Sequence, residues 1–198
     1  LVAGFCQEIN LAKRIDDALP KASHQKKVSC GKLVEAMLLN GLGFTGRTLH
    51  MYPDYFSDKP IERLLGDNIK ASDLNDDALG RCLDALYEHG VSELYQNLGE
   101  AVVSHLGLPC EGINIDTTSF HVDGEYATDD EFTGIHLTKG YSRDHRPELN
   151  QVILNLITEN QAGIPVYMQA CSGNSNDTET FKKVVKSHIK SLKAAQRS

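Results

Sequence analysis

The sequence has 198 residues, 40% of them apolar and 24% charged, the balance of a soluble globular protein with one large domain or two small ones. No apolar run approaches the ~20 residues of a membrane span, which excludes a helical membrane protein. The net charge of −7 argues against a strong, non-specific nucleic-acid binder, although residues 177–198 carry six Lys or Arg against two acids.

The chain opens on Leu1 in mid-pattern and closes on a basic helical tail with no stop signal, so both ends read as cut. Gln7, Glu8 and Asn10 interrupt the first apolar stretch and no basic segment precedes it, so no signal peptide is expected. The five cysteines (Cys6, Cys30, Cys82, Cys110, Cys171) are scattered, with no Cys-x-x-Cys pair. Neither a disulfide framework nor a zinc knuckle is indicated, and a reducing cytoplasm is the expected compartment. The eight histidines show no His-x-x-x-His spacing.

In chain order, Val2, Phe5, Cys6, Ile9, Ala12, Ile15 and Leu19 predict one amphipathic helix stopped by Pro20. Residues 21–27 form a basic loop. Ser29 is an N-cap candidate for a helix carrying Leu33, Val34, Met37 and Leu38, stopped by Gly41 and Gly43. Tyr52, Tyr55 and Phe56 are expected to pack between helices, and Pro60 to open a short helix ending at Gly66. Asn75 is placed to cap residues 76–89, whose two leading acids suit the helix dipole, with Gly90 at the far end. Leu94, Tyr95, Leu98, Val102 and Leu106 predict one more helix, closed by Gly107. Residues 1–107 therefore read as an all-helical domain. Within it, residues 29–56 admit two readings. One is a packed helical bundle. The other is a helix-turn-helix unit meeting DNA through Lys26, Lys27, Lys32 and Arg47.

Gly107, Pro109 and Gly112 then punctuate the chain, and helical period gives way to strand period. Residues 112–124 read Gly-Ile-Asn-Ile-Asp-Thr-Thr-Ser-Phe-His-Val-Asp-Gly. Ile113 and Ile115 alternate with Asn114 and Asp116, as in a strand with one buried face. Asp116 thus leaves the sheet on the polar side, where a carboxylate can meet a cation or hydrogen-bond its own local turn. Residues 125–148 are polar; Arg143, His145 and Arg146 there can meet phosphates or form a solvated loop. Residues 151–158 are apolar on both faces, which predicts a central strand, and residues 164–171 a returning strand. From Asn176 or Asp177 an amphipathic helix is expected, with Phe181, Val184, Val185, His188 and Leu192 on one side. The whole reads as α + α/β: a helical domain, then a three-stranded antiparallel meander plus one helix in residues 108–198.

Four separated stretches carry a resemblance: Ile115-Asp-Thr-Thr-Ser-Phe120, Gly140-Tyr-Ser-Arg-Asp-His-Arg-Pro-Glu-Leu-Asn-Gln151, Gly163-Ile-Pro-Val166 and Gly173-Asn-Ser-Asn-Asp-Thr-Glu-Thr-Phe181. In this order they resemble the DDE transposases of bacterial insertion sequences, in the branch with a Tyr-Arg-Glu-Lys signature. Residues 74–83 (Leu-Asn-Asp-Asp-Ala-Leu-Gly-Arg-Cys-Leu) and the helices before them resemble the N-terminal region of the same proteins. The resemblance implies a ribonuclease-H-like catalytic domain in residues 108–198, with Asp116 as the first of three carboxylates that hold two Mg²⁺ (or Mn²⁺) ions. It implies DNA as partner, at the inverted-repeat ends of an element, a possible homodimer, no membrane, and the bacterial cytoplasm. The second Asp is expected on a strand after the helix from Asp177, and the Glu beyond it. Residue 198 precedes both, so this stretch alone is expected to be inert in strand cleavage. Two other readings stand beside it. One is a non-enzymatic DNA-end or dimerisation module using Lys26, Lys27, Arg143, Arg146 and the tail lysines. The other is a metal-dependent hydrolase built from Asp116, His121 and Asp123, which strand alternation disfavours.

Overall fold

The structure is a computed structural model that describes residues 1–19, 27–43, 47–109, 111–124, 126, 134–140, 146–175 and 182. The helix expected from Asp177 lies outside the described residues. The chain divides into two compact units, Leu1–Leu108 and Pro109–Ser198.

Seven α-helices are described in the first unit: α1 (Val2–Glu8), α2 (Leu11–Ala18), α3 (Cys30–Gly41), α4 (Tyr52–Phe56), α5 (Ile61–Leu65), α6 (Asp76–His89) and α7 (Val91–His105). Short 3-10 turns, Leu49–Met51 and Ala71–Asp73, precede α4 and α6. The helix expected over residues 2–19 is broken in two. Asn10 adopts the left-handed conformation (φ 53°, ψ 41°), which asparagine tolerates better than most residues, and the chain turns there. The apolar spacing survives the break because Cys6, Ile9, Leu11 and Ile15 all reach the same core.

The expected caps are present. Ser29 Oγ accepts from Lys32 N–H at 3.3 Å, and Asn75 Oδ1 accepts from Ala78 N–H at 2.9 Å. Asp16 adds a second cap to α3, accepting Gly31 N–H at 2.8 Å. At Gly31 the helices touch backbone to backbone, for a Cβ there would lie 2.1 Å from the Ala12 carbonyl oxygen. Ile15, Leu33, Phe56, Leu65, Leu74, Leu79 and Cys82 fill the centre, each at most 1% exposed. Burying such a side chain contributes about 1.5–3 kcal/mol. Tyr55 meets Phe56 edge-on at 4.8 Å, and its hydroxyl donates to the Leu39 carbonyl at 3.0 Å. No helix among the described residues is long and apolar enough to cross a membrane.

The second unit contains an open antiparallel sheet in the order β1 (Ile113–Val122), β2 (Asn150–Glu159), β3 (Pro165–Ser172). The register runs from Ile113 opposite Glu159 to Val122 opposite Asn150. β3 pairs with β2 up to Val152 opposite Ser172, with an irregularity at Ile157/Thr158 beside Pro165. β2 differs from the expectation of two equally apolar faces. Its burial alternates strictly: Gln151, Ile153, Asn155, Ile157 and Glu159 are buried, whereas Val152, Leu154, Leu156 and Thr158 are half-buried. The most enclosed face of the sheet is therefore partly polar.

Candidate functional site

Asp116 stands at the fourth position of β1, on its exposed side with Asn114, Thr118 and Phe120. Period two puts these four on one face. Across the ladder Asp116 faces Leu156, and Leu156 in turn faces Met168 of β3. The next rungs of that face are Thr118, Leu154 and Ala170, then Phe120, Val152 and Ser172. The carboxylate thus sits on an otherwise largely apolar surface. One of its oxygens, Oδ1, accepts the Thr117 N–H at 2.8 Å, the local bond that an aspartate makes to the residue after it. Among the described residues β1 pairs with β2 alone, so Asp116 lies on an edge strand.

The opposite face supports this strand. Thr117 Oγ1 donates to Asn155 Oδ1 at 3.0 Å, and Asn155 Nδ2 approaches Cys171 Sγ at 3.5 Å, a polar tie across all three strands. His121 belongs to this opposite face, because five residues separate it from Asp116. That separation is about 17 Å of extended chain. Asp123 lies beyond the end of β1. The trio Asp116, His121 and Asp123 is thus not brought together. No group of three or more His, Cys, Asp or Glu among the described residues can hold a metal ion.

At the far end of the sheet two of the motif stretches meet. Thr138 exchanges both backbone hydrogen bonds with Gln151, at 3.3 and 3.0 Å, and Gly173 N–H donates to the His136 carbonyl at 3.2 Å. Within the polar stretch 125–148, Thr138 thus forms an isolated bridge to β2 at Gln151. The buried Gln151 side chain donates to the Gly173 carbonyl at 2.8 Å. A Cβ on Gly140 would lie 1.9 Å from the Gly173 carbonyl oxygen, and one on Gly173 would lie 2.2 Å from the Gln151 carbonyl oxygen. Three chain segments cross here with no room for a methyl group.

Of the candidate DNA contacts, Lys26, Arg143 and His145 lie outside the described residues. Arg146 is exposed, and its Nε–H donates to Glu148 Oε1. That bond holds the Glu148 carboxyl below the usual range. Lys27 Nζ donates to Asp73 Oδ1 at 2.8 Å. Burial pushes the Asp73 carboxyl upward, but Lys27 and the Lys70 N–H outweigh it and hold the group low. The lysine end of this pair is largely exposed and the aspartate end mostly enclosed.

In the helix-turn-helix stretch, Lys32 is bound by the buried Glu35 at 2.7 Å. Arg47 is exposed, and its backbone is clamped by the buried Asn40, which accepts its N–H at 2.8 Å and donates to its carbonyl at 2.9 Å. Arg81, which no sequence feature singled out as a contact, lines a cleft together with Lys27 and Asp73. Its signal was present: Asn75, the N-cap of α6, and Ala78 and Arg81 within that helix recur every three residues, inside the 74–83 stretch.

Residues 1–100 match a family model described as a domain of unknown function, DUF4277. The chain matches no curated protein and no solved structure. Because the matched stretch spans half of the 198 residues, the chain belongs to the DUF4277 family.

Proposed function

We propose that this chain is the N-terminal helical region and the first half of the catalytic domain of an insertion-sequence DDE transposase, with Asp116 as the first carboxylate of its metal site. One observation carries the reading: Asp116 is the exposed acid on the edge strand of an antiparallel meander, in the stretch that heads the ordered motif set. That placement supports a ligand role and is hard to reconcile with a core aspartate.

Hard divalent ions take carboxylate oxygens, and two such ions flanking a phosphodiester activate the attacking oxygen and stabilise the leaving one. Asp116 fits as one ligand. The described residues do not complete the set, so no step of the chemistry is derived from this chain alone. What the chain supplies is position. The β1–β2 ladder fixes the Asp116 backbone opposite Leu156, and the Thr117 N–H orients Oδ1. Leu156 opposite Asp116 and Met168 beyond it place the exposed carboxylate beside apolar neighbours on its face of the sheet. DNA at the inverted-repeat ends, Mg²⁺ or Mn²⁺, and the bacterial cytoplasm follow from the same reading.

The test is strand cleavage of an inverted-repeat duplex by the full gene product in Mg²⁺. Asp116→Asn is expected to slow cleavage by roughly three orders of magnitude, the rate equivalent of several kcal/mol of metal-borne stabilisation. Because the side chain is exposed, stability should change by less than about 0.5 kcal/mol. Cleavage at the wild-type rate in Asp116→Asn would remove the assignment.

A further inference from the structure

The helical unit carries a second site. Lys27, Val28, Asp73, Asn75, Ala78 and Arg81 line a cleft of about 290 Å³. Two features noticed separately in the sequence meet there. Lys27 comes from the basic loop, whereas Asn75, Ala78 and Arg81 come from the 74–83 stretch that the catalytic reading leaves without a task. We infer that this cleft binds a phosphate group, with the Arg81 guanidinium and the Lys27 ammonium as its donors, and that the phosphate is one of the nucleic-acid backbone.

The chemistry of the lining decides the ligand class. No carboxylate among the described residues pairs with Arg81, which is exposed and offers a forked set of N–H donors suited to phosphate oxygens. Lys27 spends one of its three ammonium protons on Asp73 and stays largely exposed. Asp73 is the one acid of the lining, and it is already engaged, accepting from Lys27 and from Lys70 N–H at 3.0 Å. Of the nearby acids of α6, Asp76 accepts the Asp77 N–H at 3.0 Å, and neither lines the cleft. The lining therefore holds two cations against one occupied carboxylate. Val28 and Ala78 form a small apolar floor that a compact anion can cover but a large apolar ligand cannot fill.

The assignment of the phosphate to nucleic acid rests on the transposase reading; the anion chemistry does not. Titration of the full chain with a fluorescent duplex, and separately with inorganic phosphate followed through the Arg81 Nε–H signal, separates the two. Arg81→Ala is expected to weaken duplex binding threefold to tenfold and to reduce the salt slope by about 1. Asp73→Asn, which releases Lys27, is expected to tighten binding, a direction that mere loss of structure would not produce. A phosphate-dependent Arg81 signal with no duplex binding keeps the cleft but makes its ligand a free phosphate. Unchanged duplex affinity and salt slope in Arg81→Ala, with an Arg81 signal that ignores phosphate, would overturn the site. Failure of the Asp116 cleavage assay would leave these readouts untouched, so the two failures are distinguishable.

Discussion

The two units bury different things. Among the described residues, seventeen buried side chains of the helical unit are apolar and two, Glu35 and Asn40, are polar. In the sheet unit three are apolar (Ile153, Ile157, Val166) and three are polar (Gln151, Asn155, Glu159). The first unit is held chiefly by apolar volume. The second relies in addition on the hydrogen bonds of buried amides and a carboxylate, such as Gln151 to the Gly173 carbonyl and Glu159 to its turn, since losing a buried polar group's partner is costly. A unit of the second kind tolerates changes on its exposed face and little change inside, which suits a strand that carries one exposed carboxylate, Asp116.

The largest expected effect follows from removing volume in the helical unit. Phe56 is fully buried and packs on Tyr52 and Tyr55. Phe56→Ala should cost about 3–5 kcal/mol in urea denaturation, with faster amide exchange in α3 and α4. A cost below about 1 kcal/mol would contradict an apolar core there. The sheet should respond to the opposite change. Gly173→Ala adds one methyl against the Gln151 and Thr138 carbonyls and should cost about 3 kcal/mol, with loss of exchange protection at the Gln151 and Thr138 amides. Unchanged protection would show that the three segments do not cross as described.

A smaller effect should come from Glu159. Its carboxylate accepts the N–H groups of Ile164, Ala162 and Gln161, each at 2.8 Å, and ties the β2–β3 turn. The Ile164 bond chiefly, then the others, holds its carboxyl below the usual glutamate range. The sign follows from linkage: a carboxyl depressed in the folded state adds stability above its unfolded pKa of about 4.3, and that stability is lost as pH falls through the folded value. Glu159→Gln should lower the melting temperature at neutral pH and flatten the acid limb of the pH profile. An acid limb as steep as in the wild type would place the carboxylate's role elsewhere.

The same contrast explains what could be read from the sequence. Helix caps at Ser29 and Asn75, the burial of Phe56, and the strand around Asp116 are local or periodic features, and each has the place expected of it. The break at Asn10 is not periodic, since Ile9 and Leu11 keep the apolar spacing on either side of it. The polar face of β2 was hidden because Ile153 and Ile157 alternate with equally apolar Leu154 and Leu156, and nothing local tells which set is enclosed. The crossing at Gly140 and Gly173 joins residues 33 positions apart and has no short-range signature. Asp116 was legible as an exposed strand acid; its setting of Leu156 and Met168 emerged only with the register.

Exchanging the carboxylate at position 116 for a thiol tests a metal-ligand role there directly. In Asp116→Cys a thiolate replaces the carboxylate, and Mg²⁺ coordinates sulfur poorly whereas Mn²⁺ accepts it better. If Asp116 holds a metal ion as proposed, the full gene product bearing Asp116→Cys is expected to cleave inverted-repeat DNA in Mn²⁺ and to fail in Mg²⁺, whereas the wild type is expected to work with both. Equal activity of the variant in the two metals, or a variant that stays inactive in Mn²⁺ while binding DNA normally, would contradict a metal ligand at Asp116.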